Sequence, residues 1–83
     1  MLRVEELQKR ANAAVRKLRE ESLAAGHSFM IRDSRLPQGQ HYFEYPDGSI
    51  RIEKLSDNKF VLVKQLPTIQ AQIVRNNFLS KIS

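Results

Sequence analysis

Cysteine and tryptophan are absent from this chain, and glycine and proline occur only three times each. Without cysteine there are no disulfides, no thiolate metal site and no cysteine nucleophile, and the composition fits a reducing compartment. We therefore expect a cytoplasmic location. The scarcity of glycine and proline also argues against a disordered or low-complexity chain, so we expect the protein to fold.

Long hydrophobic runs are missing as well. The longest wholly apolar stretches, such as FVLV at 60–63, are far shorter than the roughly 20 residues that span a bilayer. Near the N terminus, Glu5 and Glu6 stand where a secretion signal needs apolar residues. The sequence therefore predicts no association with a membrane.

The positive charge of the chain is spread along its length. The net charge is +5 over 83 residues, and it divides into +2 over residues 1–26, +1 over 27–65 and +2 over 66–83. A dedicated phosphate-binding surface shows a clustered basic stripe instead. The spread charge therefore leaves nucleic-acid binding open without favouring it. The length of the chain favours one small domain over residues 1–83.

The first segment predicts a helix over about residues 3–25, because good helix formers dominate it and Gly26 follows as a common helix stop. Apolar side chains recur in it every three or four residues and form one stripe: Val4, Leu7, Ala11, Ala14 and Leu18. Two interpretations stay open. The stripe packs against the protein's own sheet, which we favour, or it pairs with the helix of a second copy.

The same helix carries the candidate nucleic-acid contacts, which are Lys9, Arg10, Arg16 and Lys17. Each of them has a glutamate four residues away on the same helix face. Such pairs stabilise a helix and neutralise one another locally. A solvated face of ion pairs is therefore the favoured interpretation.

Four strands are predicted over about residues 28–33, 41–45, 49–55 and 59–65. The second and third strands are joined by YPDG, in which Pro46, Asp47 and Gly48 suit successive positions of a tight turn. SDNK at 56–59 predicts the next turn. The four apolar residues of FVLV indicate that the last strand is covered on both faces.

A closing helix is predicted over about residues 67–81, and its apolar residues fall on two sides. Leu66, Ile69 and Ile73 lie on one side, and nearly opposite lies a second group consisting of Ala71, Val74, Phe78 and Ile82. One packing surface cannot bury both groups. We predict that Val74, Phe78 and Ile82 form a protein interface, with Leu7 and Leu18 as second candidates.

No catalytic, cofactor-binding or metal site is predicted. The only histidines, His27 and His41, have no metal-ligand spacing to other residues. Glu44 and Glu53 are expected to pair with lysine or arginine across the strands, and the serines and glycines match neither a nucleophile turn nor a phosphate-binding loop. We therefore expect a protein that is not an enzyme.

The combination of SLAAGHS after the helix, a strand and EYPDGSIRI resembles many small uncharacterised bacterial reading frames, some of them neighbours of toxin-antitoxin or mobile-element genes. The resemblance covers about residues 20–53. It implies a regulator without enzymatic activity, or an antitoxin-like partner protein.

Taken together, the sequence predicts an α+β protein with an N-terminal helix, an antiparallel meander of three or four strands and a C-terminal helix. The favoured function is a protein-interaction module that forms a homodimer, and binding of a different protein partner stays open. The alternative is a nucleic-acid-binding regulator that uses the basic middle of the first helix. No cofactor is expected for either function.

Overall fold

The computed structural model describes residues 3–83 and confirms the predicted α+β fold. Its elements are helix α1 (Val4–Ala24), strands β1 (Phe29–Ile31), β2 (Gln40–Glu44), β3 (Ile50–Ser56) and β4 (Lys59–Gln65), and helix α2 (Thr68–Lys81). The four strands form one antiparallel sheet in the order β1-β2-β3-β4. Each element lies within two residues of its predicted bounds.

The turn between β2 and β3 forms as its sequence predicts. The Gly48 N–H donates to the Tyr45 carbonyl at 2.9 Å, and the Ser49 N–H donates to Asp47 Oδ1 at 2.9 Å. Gly48 has a φ of +89°, in the left-handed region. This turn sets the pairing of β2 with β3, in which Glu44 lies opposite Ile50.

We expect the change Gly48→Ala to lower the free energy of unfolding by about 1 to 2 kcal/mol, because an L side chain at this φ strains the backbone. A Cβ at this position has ordinary clearance, with the Arg75 Nη2 atom 3.9 Å away, so the cost comes from the backbone. Urea unfolding measures the change. An unchanged midpoint would contradict the structure of this turn.

Both helices lie on the same face of the sheet, which we call the covered face. Ile50, Leu66 and Ala71 form the centre of its core, with Tyr42, Ile52 and Val74 packed around them. At the β1 side, the rings of Phe29 and Phe78 are 5.6 Å apart. The opposite face, which we call the open face, carries Met30, Phe43 and Arg51, which are opposite one another in the sheet.

Helix α2 packs through one of its two apolar sides. Ala71 and Ile82 are buried, Val74 touches the core, and Phe78 contacts Phe29. Val74, Phe78 and Ile82, which we predicted as an interface between proteins, therefore pack within their own chain. The core of the sheet needs apolar cover, and this side of α2 supplies it.

Helix α1 packs through a side that the sequence analysis did not select. Its half-buried residues are Asn12, Val15, Arg16, Arg19, Ser22 and Leu23, and no residue of α1 is fully buried. On this side Arg16 donates to the Ile82 carbonyl and Arg19 binds Glu44, beside the half-buried Val15 and Leu23, so polar and apolar contacts together hold the helix in this rotation. The favoured prediction, that the apolar stripe packs on the sheet, is wrong.

Strand β4 is also less covered than predicted. All seven of its residues are exposed, although four consecutive ones are apolar. The strand is the last in the sheet order, and neither helix reaches over it. The prediction that both of its faces are covered is therefore wrong.

Within residues 3–83, neither helix combines the length with the hydropathy that crossing a membrane requires.

Candidate interaction surfaces

Glu44 is the best-buried charged side chain of the described residues, with 2 % of its surface exposed. Arg19 of α1 donates from Nε and Nη2 to its two oxygens, both at 2.8 Å, and Arg75 of α2 donates from Nε at 2.8 Å. One carboxylate on β2 thus joins the two helices to the sheet. We call these three residues the Glu44 triad.

Within the Glu44 triad, the two arginines favour the charged form of the Glu44 carboxylate. Burial alone raises the pKa of Glu44, but the hydrogen bonds from Arg19 and Arg75 outweigh it and hold the pKa below its ordinary value. Cross-strand cations were predicted for this glutamate, and that prediction is wrong. Its neighbours across the strands are Phe29 and Ile50, and its cations come from the two helices.

On the open face the charged groups engage one another too. The Tyr45 hydroxyl donates to Glu53 Oε2, and the guanidinium of Arg51 lies 4.6 Å from the centre of the Tyr45 ring. The hydrogen bond to Glu53, with partial burial, raises the pKa of Tyr45. The predicted partner of Glu53 was a cross-strand cation, but Leu62 and His41 lie opposite it and Tyr45 binds it.

The apolar stripe of α1 points to solvent along its whole length. The exposed fractions of Val4, Leu7 and Leu18 are 79 %, 51 % and 57 %, and Ala11 and Ala14 between them are exposed as well. Residues 4–11 are all exposed, so the first two turns of the helix project from the body of the protein. Leu7 and Leu18, the second candidates for an interface, are therefore accessible to a partner.

The predicted nucleic-acid contacts are only partly brought to one surface. Lys17 forms the expected ion pair with Glu21 at 3.8 Å, and both side chains are exposed. Lys9 and Arg10 are exposed, whereas Arg16 is half-buried and donates to the Ile82 carbonyl just after α2. Arg16 is thus occupied by a structural contact, and three of the four basic residues face solvent.

A second apolar surface lies along β4, and the sequence analysis missed it because it treated FVLV as buried. Phe60, Val61, Leu62 and Val63 are each 41 to 59 % exposed. The available signal was the flanking pair Lys59 and Lys64, since lysine is a residue that proteins place on exposed edge strands.

Metal-ligating side chains do not gather in the part of the chain that the structure describes: no three His, Asp or Glu residues come close enough to hold an ion. His41 packs its ring against Phe60, with centroids 6.4 Å apart. The buried carboxylates already have partners, which are the two arginines for Glu44 and Tyr45 for Glu53.

Within residues 3–83 the fold defines a small α+β protein with exposed apolar side chains in three places: on the projecting helix α1, along the edge strand β4, and at Ile69 and Ile73 on the outer side of α2. Comparison with known proteins adds no relative: no protein-family model, no curated protein and no solved structure matches this chain.

Proposed function

We propose that this protein is a protein-interaction module without enzymatic activity, and that it forms a homodimer through the apolar stripe of α1. The observation that carries the proposal is the exposure of this stripe. Val4, Leu7 and Leu18 are at least half exposed, on a helix whose first two turns are exposed on every side. Contiguous apolar surface of this kind commonly marks an interface.

A second copy of α1 is a suitable partner because the stripe is complementary to itself. Its steps of three and four residues are those of the seam between two paired helices. In a parallel pair in register, leucine meets leucine at positions 7 and 18. Alanine meets alanine at positions 11 and 14, where small side chains let the two helices approach closely. Glu21 occupies the next position of the repeat and ends the seam.

The charges beside the stripe favour the parallel orientation. One flank carries Arg3, Arg10 and Lys17, and the other carries the exposed Gln8 together with Val15 and Ser22, which are half-buried beside the protein's own sheet. An antiparallel pair brings the two basic flanks side by side, where their like charges repel each other. A parallel pair sets each basic flank against the uncharged flank of its partner.

Single cysteines test this arrangement cleanly, because the natural chain contains none. We expect Leu7→Cys and Leu18→Cys each to form a disulfide-linked dimer under mild oxidation, since facing positions of a parallel pair come within disulfide distance of about 4.4 to 6.8 Å between Cα atoms. The matched control is Ala13→Cys, which is exposed on the outer side of the same helix. Non-reducing electrophoresis measures the yield.

Crosslinking that is equally fast at positions 7, 13 and 18 would reflect random collision and contradict the proposal. The absence of a crosslink at Leu7→Cys would contradict it as well. The proposal requires rapid crosslinking at positions 7 and 18 and slow crosslinking at position 13.

The alternative function is a nucleic-acid-binding regulator or an antitoxin-like protein. Lys9, Arg10 and Lys17 support it, because all three are exposed on α1. Arg16 is turned toward α2, which removes one of the four predicted contacts. Of the four predicted ion pairs with glutamate, only that of Lys17 with Glu21 forms within residues 3–83, so Lys9 and Arg10 carry less local neutralisation than the sequence predicted. Binding of this kind weakens steeply with salt, which separates it from an apolar interface.

A further inference from the structure

Strand β4 offers a second surface that the pairing of α1 does not use. It forms one edge of the sheet, and its outer backbone groups have no neighbouring strand within residues 3–83. All seven of its residues are exposed, although the ring of Phe60 packs beside that of Phe43 in the same sheet, with centroids 4.9 Å apart. An exposed edge of this length is a template on which another extended chain can add a strand.

The two faces of the edge differ in chemistry. Pairing with β3 places Lys59, Val61 and Lys64 on the side of the covered face, opposite Ser56, Lys54 and Ile52 respectively. On the side of the open face it places Phe60 opposite Leu55 and Leu62 opposite Glu53. One face of this edge is therefore basic, with three exposed lysines at 54, 59 and 64, and the other is apolar, with Leu55, Phe60 and Leu62.

A second copy of the chain does not fit this edge. In a symmetric antiparallel pair, residues opposite each other must point to the same face. The register shift between Ile52 and Glu53 leaves Val63 without an opposite residue and breaks the alternation of β4. Full-length pairing of two copies would set Phe60 opposite Lys64, which point to different faces. It would also gather six lysines on one sheet face.

We infer that β4 binds an extended segment of a partner protein in which acidic and apolar side chains alternate. Such a segment adds a fifth strand to the sheet. Its carboxylates lie beside the lysines of one face, and its apolar side chains pack beside Phe60 and Leu62 on the other. The seven residues of β4 accommodate a strand of about 23 Å. A segment that passes Val63 as β3 does, with two residues of β4 opposite one of its own, keeps its alternation in phase on both sides of this residue. Backbone hydrogen bonds supply affinity, and the alternation supplies specificity.

The probe for this site is a fluorescein-labelled nonapeptide that alternates glutamate and valine, added to the full chain. Its control is a peptide of the same composition with the glutamates in one block, which cannot place charge on one face and apolar groups on the other. We expect fluorescence anisotropy to show saturable binding of the alternating peptide and affinity for the block peptide weaker by about tenfold or more. Amide chemical shifts are expected to change along residues 59–65.

A paired substitution locates the site on the protein. The double variant Lys59→Glu, Lys64→Glu is expected to lower the affinity for the alternating peptide by about tenfold or more. It is also expected to bind the corresponding peptide that alternates lysine and valine. The matched control, Lys9→Glu with Arg10→Glu on α1, makes the same change in net charge and is expected to leave the peptide affinity unchanged.

The inference is overturned by an absence of saturable binding, by equal affinity for the alternating and block peptides, or by chemical-shift changes on α1 instead of β4. Single-stranded DNA of equal charge is included as a competitor. If it bound residues 59–65 more tightly than the peptide, the edge would be a nucleic-acid surface and the inference would be wrong.

Discussion

Replacing Glu44 with glutamine is expected to destabilise the protein by about 3 to 5 kcal/mol, because it leaves the guanidinium groups of Arg19 and Arg75 partly buried without a counter-charge. The total stability of a chain of this length is about 4 to 12 kcal/mol. A single change therefore removes a large part of it, or unfolds the protein. Thermal unfolding followed by circular dichroism measures the loss.

The pH dependence of stability reports on the same carboxylate. Folding lowers the pKa of Glu44 below its ordinary value of 4.5, so the charged form contributes stability at pH values above 4.5. That contribution is lost as the pH falls through the lowered pKa. The difference between the natural chain and Glu44→Gln is therefore expected to be largest at neutral pH and to shrink in acid.

Two further variants keep this test decisive. Glu20→Gln removes an exposed glutamate of α1 and is expected to change stability by less than about 0.5 kcal/mol. A triple variant that combines Glu44→Leu, Arg19→Met and Arg75→Met removes every charge of the triad together and is expected to be more stable than Glu44→Gln alone. If Glu44→Gln and Glu20→Gln had equal stability, the triad would not hold the helices to the sheet.

The change Leu7→Glu is expected to weaken self-association by about 100-fold or more. Burying a leucine side chain stabilises the dimer by about 1.5 to 3 kcal/mol, and in a symmetric interface this contribution is lost from both copies. The new carboxylates also repel across the seam. Leu18→Glu is expected to act in the same way at the other end of the stripe. Sedimentation equilibrium measures the association constants.

Ala13→Glu is the matched control for these two changes. It introduces the same charge on the same helix at an exposed position outside the stripe, so the association constant is expected to stay within about threefold of that of the natural chain. Helix content is checked in each variant by circular dichroism. Equal weakening by Ala13→Glu and Leu7→Glu would show that the stripe is not the interface.

Local sequence signals predicted the elements of this fold well. The helix composition before Gly26, the YPDG turn and the SDNK turn each act over a few residues, and Asp57 and Asn58 take the positive φ values, 50° and 65°, that a tight hairpin needs. The register of the hairpins follows from those turns. The α+β class and the succession of helix, strands and helix were therefore accessible from the sequence alone.

The orientation of the helices was not accessible, because it depends on contacts between distant residues. Arg19 and Glu44 are 25 positions apart, and Arg75 lies 31 positions beyond Glu44. Periodicity ranks the sides of a helix by hydropathy alone, so it favoured Val4, Leu7 and Leu18 as the packed side of α1. The structure instead turns Arg16 and Arg19 inward, where charged hydrogen bonds hold the helix.

The candidate surfaces follow from the same cause. A stripe that periodicity assigned to the core is exposed on α1, and an apolar run that propensity assigned to a covered strand is exposed on β4. Conversely, Val74, Phe78 and Ile82 cover the sheet of their own chain. Apolar pattern predicted which side chains need a partner, and only the tertiary structure distinguishes an internal partner from an external one.

The mass of the unmodified protein in solution tests the central claim most directly. Light scattering at low and high salt, with and without a pool of short mixed-sequence DNA, is the measurement. We predict a dimer of twice the 9.6 kDa chain mass that persists at high salt and ignores DNA, because salt screens the basic flanks and leaves the apolar seam intact. A monomer that gains mass only with DNA at low salt would contradict the account and support the nucleic-acid alternative.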